Sequence, residues 1–432
     1  MASPRLETAE FWELPGFTAE RRAAMRDAWG AFWSSRMLIW AAGIAAVLAF
    51  GWSEHNATRL DPLYLTLPFG DALSNLLVAP AARFDSAWYL TIAQHGYDAT
   101  GRPAFFPMLP VLLRLTGESV AAQVLAGIAL SSLCGFGGLY LLHRLVSLDF
   151  DPQHAKTVVW LAAWFPGALV LSAIYTESLF LVLSIGAIYA ARLGKWPLAG
   201  IVGGIAAASR SGGVLLLVPL LILYLYGPRA DAPPPALGSS RLLPRHPLRP
   251  SVLWLLAVPA GLVAYMAYLG MDLGDPMAVF TAQDQWGRTF VPLGGLAMGI
   301  WDGITGAAEL LVPGVTRPLD GPSIVPPHLL ALRDVFMLGF LLLGLWLVYE
   351  SVKRLNLAYA AYAVCGLALP ISVPAHGNPL MSLPRFMFVL FPLWIALALW
   401  TAEHGRYRRV LLSFGVLLAA SSVLFVEWVV AP

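Results

Sequence analysis

The sequence predicts an all-α, polytopic membrane protein, on three observations. Of 432 residues, 58% are hydrophobic and only 12% are charged, where a soluble domain carries about 25% charged residues. Mean hydropathy is +0.70. Apolar runs recur from residue 37 to residue 430, most of them near the roughly 20 residues that a spanning helix needs. The net charge of +2 gives no support for nucleic acid as a partner. Cys134 and Cys365 both stand inside apolar runs, where packing is the expected role rather than a disulfide or a metal pair. Lysine is confined to Lys156, Lys195 and Lys353, while Arg, Ala, Gly and Pro abound; a GC-rich bacterial gene and a bacterial plasma membrane are the expectation. The polar stretch to residue 36 and the lack of a small-residue cleavage site after the first apolar run predict no cleavable signal peptide.

Eleven spans are expected, near 37–54, 118–142, 157–173, 176–192, 196–209, 211–227, 251–270, 328–349, 356–372, 386–402 and 410–430. The fifth and sixth are short and share the turn "SRSGG", so a single broken helix competes with two crossings there. Short cytoplasmic loops collect Lys and Arg. The basic segments here are 1–36, "HRLVSLDFDPQHAK", "RLGK", the Pro-rich linker 228–250, "ESVKRLN" and "AEHGRYRR". All fall on one side if 196–227 crosses twice and 291–312, with Asp302, Glu309 and several Gly, is interfacial or re-entrant. The N-terminus is then cytoplasmic and the C-terminus outside. Four segments result: a cytoplasmic 1–36, a membrane half 37–227 with a long outer loop 55–117, the cytoplasmic linker 228–250, and a second membrane half 251–432.

That outer loop is not ordinary. In "RFDSAWYLTIAQHGYD", Asp85 and Tyr89 are four apart and share a helix face, while Trp88 and Ile92 share an adjoining one. Trp and Tyr favour the membrane–water boundary, so an amphipathic helix at the outer interface is expected. "FFPMLPVLLRL" follows, too short to span and broken by Pro107 and Pro110, and is read as a second interfacial piece. Asp85 can be a helix N-cap or a functional carboxylate. Glu177, Arg210 and Arg385 fall at the same outer leaflet in apolar surroundings, where burying a charge costs about 2.5–3.5 kcal/mol. Each alone can be a structural charge. Together with Asp85 they make a site for an anionic head group and a reaction beside it. The Asp149-x-Asp151 pair in "LDFDPQ" has the spacing of soluble metal–nucleotide sites but is read as a solvated turn of a short cytoplasmic loop. Walker, CxxC and HExxH patterns are absent.

"RFDSAWYLTIAQHGY" with "AFFPMLPVLLRL", then "FPGALVLSAIYTESLFLVL…AAASRSGG", then "SLPRFMFVLFPLWIALA" resemble, in order, three blocks of the PIG-V mannosyltransferase family. These are GT-C type enzymes that add a mannose in glycosylphosphatidylinositol assembly. One departure is Phe84–Asp85, where the family usually has Trp-Asp. The resemblance implies a GT-C type fold, a polyprenyl-phosphate-mannose donor lipid, an inverting transfer giving an α-linked mannose on the outer face, and Asp85 as the catalytic acidic residue. The acceptor, a glycolipid or another outer-face molecule, is not legible. In that chemistry Asp85 takes the acceptor proton, and Arg210 and Arg385 hold the leaving phosphate. Arg83, Tyr89, His95 and Glu177 are the candidates for orienting substrate. A single phosphate leaves more readily than a nucleotide diphosphate, so no metal or other cofactor is expected. A lipid-glycan flippase is the alternative, disfavoured by charges gathered at one leaflet and by the lack of an internal repeat; a non-catalytic membrane partner of a transferase is the other.

Overall fold

The computed structural model describes residues 18–52, 54–231, 244–312, 314–315 and 326–429. Most of the linker 228–250, including Arg241, and the first seventeen residues of the expected cytoplasmic segment lie outside the described residues. Among the described residues there is no β-strand, only isolated bridges. The first half contains α1 (Ala19–Phe50), α2 (Glu54–Leu60), α3 (Asp71–Leu77), α4 (Asp85–His95), α5 (Met108–Arg114), α6 (Val120–Val146), α7 (Pro152–Trp164), α8 (Glu177–Arg192), α9 (Trp196–Ser209) and α10 (Leu217–Tyr226). The second contains α11 (Ala257–Asp272), α12 (Ala278–Thr281), α13 (Gly294–Leu311), α14 (Pro327–Arg354), α15 (Leu357–Ile371), α16 (Leu383–Phe388), α17 (Phe391–His404) and α18 (Tyr407–Val426). Among the described residues five helical stretches are long and apolar enough to cross a membrane: α1, α6, Pro250–Asp272, α14 and α18. α9, Ser211–Tyr226 and α15 are apolar but shorter.

Every expected span overlaps helix, but 157–173 is α7 followed by the 3-10 turn Pro166–Leu171, 386–402 is divided between α16 and α17, and the first boundary shifts where a charge is buried. α1 begins at Ala19 rather than near residue 37, capped by the Thr18 hydroxyl, which accepts from the Arg21 N–H (3.3 Å). Arg36, expected in the cytoplasm, is buried within α1. It donates to the carbonyls of Ala168 (2.8 Å) and Ala163 (3.5 Å), where the chain leaves α7 for a 3-10 turn and carbonyls stand free. The 196–227 stretch is a hairpin and not one broken helix. Gly213 folds back so closely that a Cβ there would lie 2.4 Å from the Ala206 carbonyl oxygen. Residues 294–311 form one continuous helix of 18 residues, which is not among the five long apolar stretches. Its Gly295, Gly299, Gly303 and Gly306 are buried, and the last two back onto α14 at Leu338 and Ala331.

The core is built around Trp394, fully buried on α17. Its ring centroid is 4.5 Å from that of Phe165, and its indole N–H donates to the Phe388 carbonyl (2.8 Å). α1, α7, α15, α17 and α18 gather on this centre. Polar contacts sort to the two ends of the bundle. At one end Arg144 pairs with Glu20, His143 and Lys156 approach Asp27, Arg192 holds Asp149 through two bonds of 2.6 Å, and Arg354 bridges Glu350 and Glu403. These residues come from the basic segments assigned to one side by charge. The Asp149-x-Asp151 pair is absorbed there as structure: Asp149 in the Arg192 fork, Asp151 as the N-cap of α7, accepting from the His154 N–H (2.9 Å). The other end carries the loop 55–117, which loop charge led one to expect outside.

Candidate active site

The site is made by two segments that zip together. Ile174 donates its N–H to the Ala81 carbonyl (2.8 Å), and the Tyr89 and Thr176 hydroxyls share a bond of 3.1 Å. The Tyr175 hydroxyl accepts from the Asp85 N–H (3.3 Å) and donates to the Arg83 carbonyl (3.2 Å). This registers the start of α4 against the start of α8. Phe84, at φ +52°, turns the chain abruptly into α4 and packs its ring on Phe425 and Trp428, at centroid distances of 5.7 and 5.1 Å. Asp85 is therefore the first helical residue rather than the N-cap, and its side chain caps nothing. It is instead paired with the Arg385 guanidinium.

Arg385 is carried by α16. That short helix lies against the 3-10 turn Pro166–Leu171 so tightly that a Cβ on Gly167 would sit 2.3 Å from the Pro384 carbonyl oxygen. Arg385 reaches both carboxylates: Nη1 meets Asp85, and Nε lies 3.1 Å from Glu177 Oε1. Arg210, at the turn between α9 and α10, pairs with the same Glu177 oxygen. Glu177 is 1% exposed and stands in the first turn of α8, where free N–H groups favour a negative charge. The Asp85 side chain is 22% exposed, the more open of the two carboxylates.

Asp85, Glu177, Arg210 and Arg385 are thus one network, with Tyr89 buried beside it and its hydroxyl on Thr176. Arg83 and His95 are not brought in. Arg83 is fully buried on the far side of the turn, donating to Asn75 and to the Val426 (3.1 Å) and Ala82 (3.0 Å) carbonyls, with burial lowering its pKa to about 10. His95 is exposed at the opposite end of α4, about 15 Å along the axis at 1.5 Å per residue. Among the described residues no group of three or more His, Cys, Asp or Glu side chains is gathered to hold a metal ion.

Three residues escaped the sequence reading. Tyr175 forms the hydroxyl bridge above and lies under Arg385, its ring centroid 5.3 Å from the guanidinium carbon. Phe386 is surrounded by three guanidiniums, those of Arg210 (4.8 Å), Arg385 (5.6 Å) and Arg288 (5.8 Å). Arg288 arrives on a strap from the second half of the chain and had no local signal, since "DQWGRTF" reads as an ordinary polar loop.

Fold and site together define an integral membrane protein of α-helices with a buried carboxylate–guanidinium network at one end of its bundle. Residues 47–218, which hold Asp85, Glu177 and Arg210, match the family model described as mannosyltransferase (PIG-V), and the resemblance to that family is established over this part of the chain. The GPI mannosyltransferase 2 of Yarrowia lipolytica is 32% identical over 170 residues, 38% of this chain and 47% of that protein. The GPI alpha-1,6-mannosyltransferase 2 of Rattus norvegicus is 30% identical over 175 residues, 38% of this chain and 35% of the relative. The match spans less than half the length of either relative. Among solved structures, the oligosaccharyltransferase of Archaeoglobus fulgidus aligns over 89% of this chain and 56% of its own, at 13% identity and a TM-score of 0.41.

Proposed function

We propose that this chain is a GT-C type membrane mannosyltransferase that takes mannose from a polyprenyl-phosphate lipid and passes it to a hydroxyl on the outer face. The observation that carries this reading is the placement of Asp85. It is the accessible carboxylate of the network, it is held by Arg385, and it lies in the stretch that is similar to mannosyltransferases. Asp85 is the base. As the acceptor oxygen attacks the anomeric carbon, its proton passes to the Asp85 carboxylate, the bond from that carbon to the phosphate oxygen breaks, and the electron pair leaves with the phosphate. A displacement of this kind inverts the anomeric centre. Arg210 and Arg385 set the positive field that receives the new charge, most effectively where water is scarce. Glu177 ties both to one buried anchor. The end bearing Arg144, Arg192 and Arg354 faces the cytoplasm, following the positive-inside bias, and the network faces out.

The test is transfer by the purified full chain. Radiolabelled mannose on a synthetic polyprenyl phosphate is expected to appear on a lipid acceptor extracted from the host membrane, whereas GDP-mannose gives no product. Transfer from the nucleotide sugar, or none from the lipid donor with any outer-leaflet extract, would overturn the reading.

A further inference from the structure

The network contains two carboxylates, Asp85 and Glu177, and both are already committed to Arg385 and Arg210. A third guanidinium stands beside them. Among the described residues no carboxylate lies within ion-pair reach of Arg288, whose side chain is half-buried over Phe386 at 5.8 Å. Its pKa is lowered to about 10, first by burial and then by Arg385 and Arg210, with Asp85 acting in the opposite direction. Three cations against two anions leave one positive charge in a part-desolvated place.

The chain goes to some length to put it there. Trp286 packs on Trp88 (5.2 Å) and Phe105 (5.6 Å), which are themselves stacked at 5.4 Å. A Cβ on Gly101 would lie within 2.4 Å of the Trp286 ring, so the strap is pressed onto the first outer loop. Gly287 then turns at φ +59°, and its carbonyl accepts from the His376 N–H (2.9 Å). Arg288 pairs with Ala375 as an antiparallel bridge, Thr289 donates to the Pro374 carbonyl (3.3 Å), and Val291 donates to that of Ser372 (2.9 Å). The strap is held from both sides, and the segment it pairs with leads into Arg385 and Phe386.

We propose that Arg288 is the anion-binding residue of this site: its planar fork takes the phosphate of a lipid-linked ligand, a diester in the sugar donor and a monoester in the carrier left after transfer, while Arg210 and Arg385 are occupied in holding Glu177 and Asp85. This rests on the transferase reading above and shifts the direct phosphate contact from the paired arginines to the unpaired one. An isolated half-buried guanidinium gains most from such a ligand, because it has no ion pair to break first.

The experiment measures binding and transfer separately on the purified full chain. Affinity is read from thermal stabilisation by a synthetic polyprenyl monophosphate, by the matching polyprenol, and by inorganic phosphate. The wild type is expected to prefer the lipid phosphate over the alcohol by about 10- to 100-fold, the worth of a charge-assisted bond. Arg288→Gln abolishes that preference and leaves polyprenol binding unchanged. Arg288→Lys keeps the charge but loses the fork and falls between; it decides the matter if the Gln variant does not fold. Retention of the wild-type preference in the folded Gln variant, or in the Lys variant when only that one folds, overturns the proposal. Stabilisation by inorganic phosphate equal to that by the lipid phosphate overturns the lipid ester as the ligand. Arg288-dependent lipid-phosphate binding without any sugar transfer refutes the transferase reading alone. Sugar transfer with wild-type binding and KM in Arg288→Gln refutes the role of Arg288 alone.

Discussion

Glu177 is the residue on which the network depends, because two guanidiniums share one of its oxygens in a place it cannot leave for water. Replacing it by Gln leaves Arg210 without its ion pair and Arg385 with Asp85 only. Breaking a buried pair from one side costs about 3–5 kcal/mol, so Glu177→Gln is expected to lower the unfolding midpoint clearly; an unchanged midpoint would show the network to be loosely held. Asp85→Asn is milder in this respect, since Arg385 keeps Glu177 and the Asp85 side chain is partly exposed. At this scale the sequence was informative where a charge stood in an apolar run. Desolvation makes Asp85, Glu177, Arg210 and Arg385 anomalous one by one, and the fold brings all four together. It was silent on direction. Arg83 is two residues from Asp85 in sequence, yet the turn at Phe84 sends its side chain to Asn75 and the Val426 carbonyl. Arg288 stood in a polar loop where an Arg is unremarked.

Among the elements, α16 and the turn Pro166–Leu171 set the position of Arg385 through the near-contact at Gly167. A methyl group added there meets backbone, which can yield only if α16 shifts. Gly167→Ala is expected to destabilise the protein by about 1–3 kcal/mol and to cut sugar transfer at least about 10-fold, since a small displacement of a positioning group is costly. Wild-type turnover in this variant would mean that Arg385 need not be placed so closely. Helical periodicity and apolar length were enough to place helix in each expected span, five of the stretches having spanning length, and α5 is as short as "FFPMLPVLLRL" suggested. They did not foresee that α1 runs back to Ala19, because a polar first half looks like a solvated tail until partners such as Ala168 and Glu20 are supplied from other helices.

For the molecule as a whole, the division of charge between two ends of one bundle is the feature that joins fold to function. Ala99 in the loop 55–117 and Arg406 between α17 and α18 are both exposed and belong to opposite ends. With Cys134 and Cys365 replaced by Ser, Ala99→Cys is expected to react with a membrane-impermeant thiol reagent on intact cells, and Arg406→Cys only after lysis. Labelling of both from outside would refute the orientation. The two-ended pattern was legible from loop charge alone; the strap that ties residues 286–291 to the first outer loop was not, because its contacts join residues nearly two hundred positions apart. The most direct measurement is turnover of Asp85→Asn with a polyprenyl-phosphate-mannose donor, in a preparation whose unfolding midpoint matches the wild type. Asn keeps the shape and can still accept from Arg385, but it takes no proton. Transfer reduced by about 10²-fold or more, with donor binding retained, is the predicted result; near-normal turnover would contradict Asp85 as the base.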